Sequence, residues 1–377
     1  MERLPKILTI VAGALVVLVA ATVYVGIFAI RKFMPPSLQC PDELKVAKIL
    51  NGADKFRKDS YFVDGRLGAV TDLRYEVRDP GNPDLAVVGT DGAVFLNEEG
   101  NIQERVAFPS DVERESVVLV ERVDAASPFF LSSGSWSAPT ALFDSSGKKL
   151  WTYGSLRGED GAAAGDINGN GKIEVAIGMN GNAGVVFVDE SGNQIWSKPD
   201  GNVWHVEVLA GGGGIPGRIL HSNARGHLIV RDGGGNVVER RRLDMYLSKF
   251  SLLNWNHEPR PTHIVASDSD AVYIYTSKGE RTARFDAPAP TLYDQIRAVT
   301  LRLPDSKTYL AVLRDYGQWN RSVLTISSVT GETGDLTYRE VLDDPCEPLA
   351  TMPTKSSEAL LIGCQGRVWR YDALRSQ

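Results

Sequence analysis

The sequence predicts an all-β chain: a seven-bladed β-propeller preceded by one N-terminal transmembrane helix. Three observations predict it. A polar turn ending in glycine recurs at a nearly fixed period. Strand-like apolar runs flank the copies of that turn. Near the N-terminus, Ile7 to Ile30 runs for 24 residues without a charge.

The composition permits such a chain. Its 377 residues are 43% hydrophobic and 23% charged, enough for a large core or for several ordinary domains. Lys and Arg total 41 and Asp and Glu total 47, a net charge of −6. So acidic a body has no electrostatic footprint for a phosphate backbone, and nucleic acid is not an expected partner. The expected partners are a lipid bilayer, through residues 7–30, and another protein.

As a helix, residues 7–30 would reach about 36 Å, enough to cross a hydrocarbon core of about 30 Å. Arg3 and Lys6 precede the run, and Arg31 and Lys32 follow it. A cleaved signal peptide would have a shorter apolar region, about 7–15 residues, and a small-x-small site. This run ends in Phe28, Ile30 and Arg31, and Gln39 before Cys40 does not suit lipoprotein cleavage. The reading is an uncleaved anchor over residues 1–33. A slight bias of positive charge places the N-terminus in the cytoplasm and the propeller in the periplasm or outside the cell. Residues 34–55, from the stiff Met34-Pro35-Pro36 onward, read as a stalk or linker.

The repeats come next. Asp144-Ser-Ser-Gly147-Lys-Lys-Leu-Trp151 matches Asp189-Glu-Ser-Gly192-Asn-Gln-Ile-Trp196 position for position. The same turn recurs at Asn97–Gly100, Asp232–Gly235, Thr276–Gly279 and Ser328–Gly331. Its glycines, at 100, 147, 192, 235, 279 and 331, lie 47, 45, 43, 44 and 52 residues apart. Apolar runs such as Ala93–Leu96, Thr140–Phe143 and Gly184–Val188 precede the turns. Each is preceded by another, the series ending at Ala359–Gly363, which makes seven copies. An all-β period of this length is that of a propeller blade. A solenoid would repeat at shorter intervals, and a sandwich would not keep one turn at one period. The propeller is expected over residues 56–377. Its first copy opens with an inner strand, Gly68–Val77, and its last stops after Arg367–Tyr371, short of an outer strand. Phe56–Val63 is therefore expected to close the ring on the last blade, removing sheet edges.

The segment Gly165-Asp166-Ile-Asn168-Gly-Asn170-Gly171-Lys172-Ile-Glu174-Val-Ala-Ile-Gly178 resembles the FG-GAP/VCBS repeat, the calcium-loop blade of integrin α-chain propellers. The Asp-Ser-Ser-Gly-x-x-Leu-Trp turns are similar to the quinoprotein-alcohol-dehydrogenase-like propeller repeat. The first resemblance covers one blade; the second covers two blades well and the others loosely. Both imply a propeller, and neither fixes a function.

The calcium-type loop has its own chemical logic. Oxygens at positions 1, 3 and 5 fall on one side of a tight turn, glycine at 6 reverses the chain, and a carbonyl at 7 and a carboxylate at 9 complete the shell. These are Asp166, Asn168, Asn170, Gly171, Lys172 and Glu174, and one structural Ca2+ of modest affinity is expected there. Ile177 stands where an EF-hand would have its last glutamate. The competing reading is a hairpin turn whose Asp and Asn cap their own backbone without metal.

Cys346 and Cys364 lie symmetrically about Lys355, in the polar turn Pro353–Ser357. A hairpin around that turn would bring the sulfurs together, so a disulfide is expected, with two buried free thiols as the alternative. Cys40 is left over. His205, His221, His227, His257 and His263 lack metal spacing and read as structural. Arg240-Arg241-Arg242 reads as a solvated strand edge guarded by charge. Trp136, Trp204, Trp255, Trp319 and Tyr316 fall in or near loops, as interface anchors or as packing between blades. No Gly-x-Ser-x-Gly elbow, phosphate loop or Cys-x-x-Cys is present.

The expected function is that of a membrane-anchored, extracytoplasmic protein-binding scaffold or an accessory subunit of a cell-envelope complex. The alternative is a propeller enzyme, a quinone-dependent dehydrogenase or a lyase. Its site would lie in the central channel, with Asp72, Arg74, Glu207 and Arg297 as candidates, although no vicinal cysteine pair is present for a quinone to stack on. A calcium-dependent sensor is a third, weaker idea.

Overall fold

A computed structural model describes residues 40–374, apart from 80–81, 122–127, 135–137, 155–157, 212–213, 256–260, 269, 287–294, 306 and 331–332. The chain divides into two units, Met1–Lys45 and Val46–Gln377. In the first, the described residues hold a 3-10 turn at Asp42–Leu44.

The polar turns of the second unit are built alike. Asp144 Oδ1 accepts from the backbone N–H of Ser146 and Lys148 at 2.9 and 3.0 Å, and Gly147 N–H donates to the Asp144 carbonyl. Asn97, Asp189, Asp232 and Thr276 repeat this with their own side-chain oxygens. The closing glycines 100, 147, 192, 235 and 279 all sit at φ between +80° and +82°, where an L side chain is strained. The turn at Gly331 lies outside the described residues.

These turns join strands into seven separate antiparallel sheets. After β1 (Lys48–Asn51) and β2 (Phe56–Val63), blade 1 is β3 (Val70–Asp79), β4 (Asn82–Gly89), β5 (Gly92–Leu96) and β6 (Ile102–Ala107). Blade 2 is β7 (Ser116–Val120), β8 (Phe129–Ser133), β9 (Thr140–Phe143) and β10 (Lys149–Tyr153). Blade 3 is β11 (Glu159–Gly165), β12 (Glu174–Met179), β13 (Gly184–Val188) and β14 (Gln194–Lys198). Blade 4 is β15 (Val206–Leu209), β16 (Arg218–Ser222), β17 (His227–Arg231) and β18 (Val237–Arg242). Blade 5 is β19 (Phe250–Leu253), β20 (His263–Ser267), β21 (Ala271–Thr276) and β22 (Arg281–Asp286). Blade 6 is β23 (Gln295–Arg302), β24 (Thr308–Tyr316), β25 (Arg321–Thr330) and β26 (Thr333–Leu342). Blade 7 has β27 (Leu349–Pro353), β28 (Glu358–Gly363) and β29 (Arg367–Ala373).

The core is divided among seven apolar clusters, one between each pair of neighbouring blades. Period-2 alternation explains this. Ala86, Val88, Ala93 and Phe95 of blade 1 face Val117, Phe130 and Phe143 of blade 2, whereas Leu85, Val87, Val94 and Leu96 face Leu361 and Val368 of blade 7. Each Val, Leu or Phe side chain among them, fully buried, contributes about 1.5–3 kcal/mol. The turn motif adds a latch. Trp151 Nε1 donates to the Glu190 carbonyl in the next blade's turn at 2.8 Å, and Trp196 Nε1 donates to the Gly233 carbonyl at 2.9 Å.

The ring closes as the sequence predicts. β2 pairs with β29 from Phe56 opposite Ala373 to Val63 opposite Arg367, so the N-terminal strand is the outer strand of blade 7. Its Lys58 reaches Glu340 of blade 6 at 2.7 Å, and the hydroxyls of Tyr338 and Tyr371 donate to that buried carboxylate at 2.7 and 2.8 Å.

Two expectations change. Within the tract read as a stalk, Lys48–Asn51 is a strand paired with β26 of blade 6. The span expected over Ile7–Ile30 lies outside the described residues. Among the described residues no helix is long and apolar enough to cross a membrane, and nearly all regular structure is β-sheet. The placement as a single-pass membrane protein with an extracytoplasmic propeller conflicts with this and is withdrawn.

Candidate functional site

The inner strands of the seven blades are β3, β7, β11, β15, β19, β23 and β27, and several of them pack on their neighbours around the channel: β3 on β7 and β27, β11 on β15, and β23 on β19 and β27. Charged side chains from every blade meet there. Asp72 Oδ2 accepts from the Leu119 N–H of the adjoining inner strand at 2.9 Å and from Arg74 Nε at 3.2 Å. Arg74 is held in its charged form, above the ordinary guanidinium range, chiefly by Asp72 and with help from Glu121 and Glu207. His205 Nε2 lies 3.0 Å from Glu207 Oε1. Burial pushes Glu207 up, but the bond to His205 and the charges of His205, Arg297 and Arg74 outweigh it, leaving its carboxyl below the ordinary range. Lys249 is lowered by burial, and Glu347, Asp160 and Asp315 offset part of that. Asp315 is pushed up to about 6, first by burial and then by Glu347.

Asp72, Arg74, Glu207 and Arg297, named from the sequence, thus join one electrostatic ring. The sequence reading missed Glu121, Asp160, Lys249, Asp315 and Glu347 and took His205 as merely structural. A signal was present. Residues 74, 121, 160, 205, 249, 297 and 347 recur at nearly the blade period, one charged or titratable side chain per blade. Cations and carboxylates lie closely enough to compensate one another, and the described residues hold no group of three or more His, Cys, Asp or Glu suited to a metal.

The calcium-type loop lies between β11 and β12. Asn170 and Gly171 N–H donate to the two oxygens of Asp166 at 3.0 and 2.9 Å. Ile167 and Asn168 N–H donate to Glu174 Oε2 at 2.9 and 3.2 Å, and Asn170 Nδ2 approaches Glu174 Oε1 at 3.4 Å. Lys172 joins through its backbone N–H, which donates to Asn170 Oδ1 at 2.8 Å. Asp166 and Glu174 are 5% and 3% exposed, and neither forms an ion pair among the described residues. Asn168 does not converge with them: a Cβ on Gly233 of the next blade would lie 2.2 Å from its Oδ1. The oxygens of Asp166, Asn170 and Glu174 thus converge on the loop's own N–H groups, the arrangement of a turn that caps its own backbone, and Asn168 lies apart from them.

Cys346 and Cys364 are joined by a disulfide beside the β27–β28 hairpin, with Cα atoms 4.1 Å apart. Cys40 is free. Arg231 bonds both His221 and Asp200 in a buried cluster. Trp255 leans on His263 and Trp319 stacks on buried Tyr316, so both serve packing. Trp136 and His257 lie outside the described residues.

Trp204 is different. Strand direction alternates, so the loops between blades and those between second and third strands share one end of the propeller. At that end Trp204 Nε1 donates to Tyr246 Oη at 3.0 Å, and Tyr246 Oη donates to the Ala224 carbonyl at 3.1 Å. Tyr246 remains 54% exposed, its ring over Gly226, where a Cβ would come within 2.7 Å.

No family model matches the chain, and no curated protein matches its sequence. The resemblance of single blades to FG-GAP/VCBS and quinoprotein-like repeats therefore gains no support from either comparison. Solved structures do match in shape. A crystal structure of BBS1N in complex with ARL6DN, soaked with mercury, superposes with a TM-score of 0.55 at 10% identity, covering 85% of this chain and 98% of that one. Another, soaked with lead, gives 0.52 at 12% identity, with coverage of 84% and 98%. A chain in a crystal structure of the mitotic checkpoint complex gives 0.53 at 12% identity, covering 91% of this chain and 99% of that one. At such identities the likeness is one of fold, and that fold is a seven-bladed β-propeller.

Proposed function

We propose that this chain is a binding platform for another protein, docking through the loop end where Trp204 and Tyr246 meet. The observation that carries this reading is the pair itself. Tyr246 presents its ring to solvent while its hydroxyl is fixed on both sides, by the Trp204 indole and the Ala224 carbonyl. A large aromatic held in place beforehand loses little conformational entropy on docking, which is the property of an interface hot spot. The shape likeness to chains crystallised within protein complexes agrees with the reading. The test is affinity capture with wild type and Tyr246→Ala, both checked for native circular dichroism. Partners retained by wild type should be lost by the variant; an unchanged set of partners refutes the docking point.

The charged channel favours a second reading, a small ionic ligand or substrate, as in a quinone-dependent dehydrogenase or a lyase. A ligand that raises the melting temperature of wild type but not of Arg74→Ala would support it. One further element belongs to the proposal: a structural Ca2+ held by Asp166, Asn170 and Glu174, whose two buried carboxylates otherwise have no cationic partner among the described residues.

A further inference from the structure

Blade 6 differs from the other blades at its rim. Its outer strand β26 is covered by β1, with Lys48 opposite Val341, Ile49 opposite Glu340 and Asn51 opposite Arg339. That pairing falls just beyond a β-bulge at Thr337, where the β25–β26 register slips between Tyr338 and Leu336. The same bulge recurs on the turn side of the outer strand in blades 1 to 5, at Gln103, Leu150, Ile195, Val238 and Thr282, whereas β2 of blade 7 carries its bulge at Tyr61, towards the other end of the strand. The fold therefore demonstrates on itself where a blade accepts a fifth strand: two to four residues past the bulge.

On blade 4 the equivalent positions are Arg240, Arg241 and Arg242, and no strand of the described chain covers them. Arg241 pairs with Glu239, whereas Arg240 and Arg242 are exposed and form no ion pair among the described residues. Val237 and Val238, 44% and 52% exposed, sit beside them. At the corresponding positions no other outer strand carries more than one cation. This is a concentrated positive edge on a chain of net charge −6.

We propose that the outer edge of β18 takes an extended acidic segment of a partner protein as a fifth strand of blade 4, antiparallel to β18 as β1 is to β26 but without the bulge that β1 carries between Ile49 and Asn51. Backbone groups of the edge supply the ladder. Acidic residues two apart in the segment lie opposite Arg242 and Arg240, where opposite charges on facing positions attract. An aliphatic residue after them meets Val237 and Val238. Arg242 ends β18 and Tyr246 follows in the loop after it, so Arg240→Glu/Arg242→Glu and Tyr246→Ala test the two readings separately.

The probe is a fluorescein-labelled octapeptide alternating Glu with Val, titrated against the full chain by fluorescence anisotropy and by amide hydrogen exchange. Saturable binding is expected, with slowed exchange over Val237–Arg242. Affinity should drop at least tenfold in Arg240→Glu/Arg242→Glu, persist in the paired Lys variant and be untouched by Tyr246→Ala. Absence of saturable binding overturns the proposal. So does protection elsewhere with β18 unchanged, or equal binding of the peptide with Lys in place of Glu; the arginines would then only guard the edge against aggregation.

Discussion

His221 should make the fold sensitive to mild acid, and the structure gives both sign and size. The side chain is fully buried. Arg231 Nε donates to its Nε2 at 3.1 Å, so that nitrogen carries no proton, and Nδ1, which does, faces the Ser222 carbonyl at 3.3 Å. Arg231 is itself fixed by Gly235 and Asp200 at 2.8 and 2.9 Å. Protonating Nε2 would set one N–H against another. Burial first, then the Arg231 charge, lower the imidazole from its ordinary 6.5 to about 4, against the pull of Asp200. Between those values the unfolded chain binds a proton that the folded chain refuses, so stability falls as pH falls. The full window corresponds to about 3 kcal/mol, of which about 2 kcal/mol falls between about pH 7.5 and about pH 5. Asp315 works the other way. Raised from 3.8 to about 6, it is protonated more readily when folded. Over the same interval it returns about 1.4 kcal/mol, partly masking the loss in wild type. The informative measurement is therefore a difference: urea unfolding of wild type and His221→Gln at both pH values. The stability advantage of wild type over the variant should shrink by about 2 kcal/mol on acidification. A constant difference, or one that grows, refutes the buried neutral tautomer.

Gly192→Ala should cost about 1–3 kcal/mol in chemical denaturation, because φ is +82° and the new Cβ would lie 2.8 Å from Trp151 Cγ; a neutral result would mean that the latch between blades 2 and 3 gives way freely. Reducing the Cys346–Cys364 disulfide, with its sequence separation of 18, should cost about 3 kcal/mol by loop-closure entropy, and Cys346→Ala/Cys364→Ala should match the reduced protein. An unchanged urea midpoint under reductant would count against that contribution. Adding Ca2+ after chelation should raise the melting temperature of wild type and leave Asp166→Asn unmoved, since ligand binding stabilises by mass action; no response in wild type removes the ion from the loop.

What was legible in the sequence was whatever the backbone must repeat. Blades 1 to 5 each reverse tightly before the outer strand, and the reversal needs an Asp, Asn or Thr oxygen to hold backbone N–H groups and a glycine at positive φ. Those residues cannot drift, so the period survives and the blade number follows. The missing outer strand of the last blade pointed to Phe56–Val63 for the same reason. The channel ring was less legible because its members are 39 to 50 residues apart and of mixed sign. Their chemistry arises where blades converge, and only the spacing betrays it. β1 left almost no trace. It is four residues long with a mostly exposed pattern, and its partner strand lies far along the chain. The aromatics divided three ways for packing reasons that no motif encodes: Tyr316 is buried, Trp255 leans on His263, and Trp204 fixes the hydroxyl of an exposed Tyr246.

The recurrent bulge connects the rim to the rest of the argument. A propeller closes its sheets into a ring but leaves one outer edge per blade, and an unbroken edge invites indiscriminate pairing. In blades 1 to 6 a bulge on the turn side removes the first part of the outer edge from use by breaking its ladder. What remains beyond it is about three residues, too short for backbone hydrogen bonds alone to hold a fifth strand at about 1 kcal/mol net each. Occupancy must then be decided by side chains. On blade 6 the decision is made within the chain, since β1 is tethered a few residues from β2. On blade 4 no such tether exists, and the side chains are three arginines. An edge of that kind is closed to most sequences and open to an acidic one.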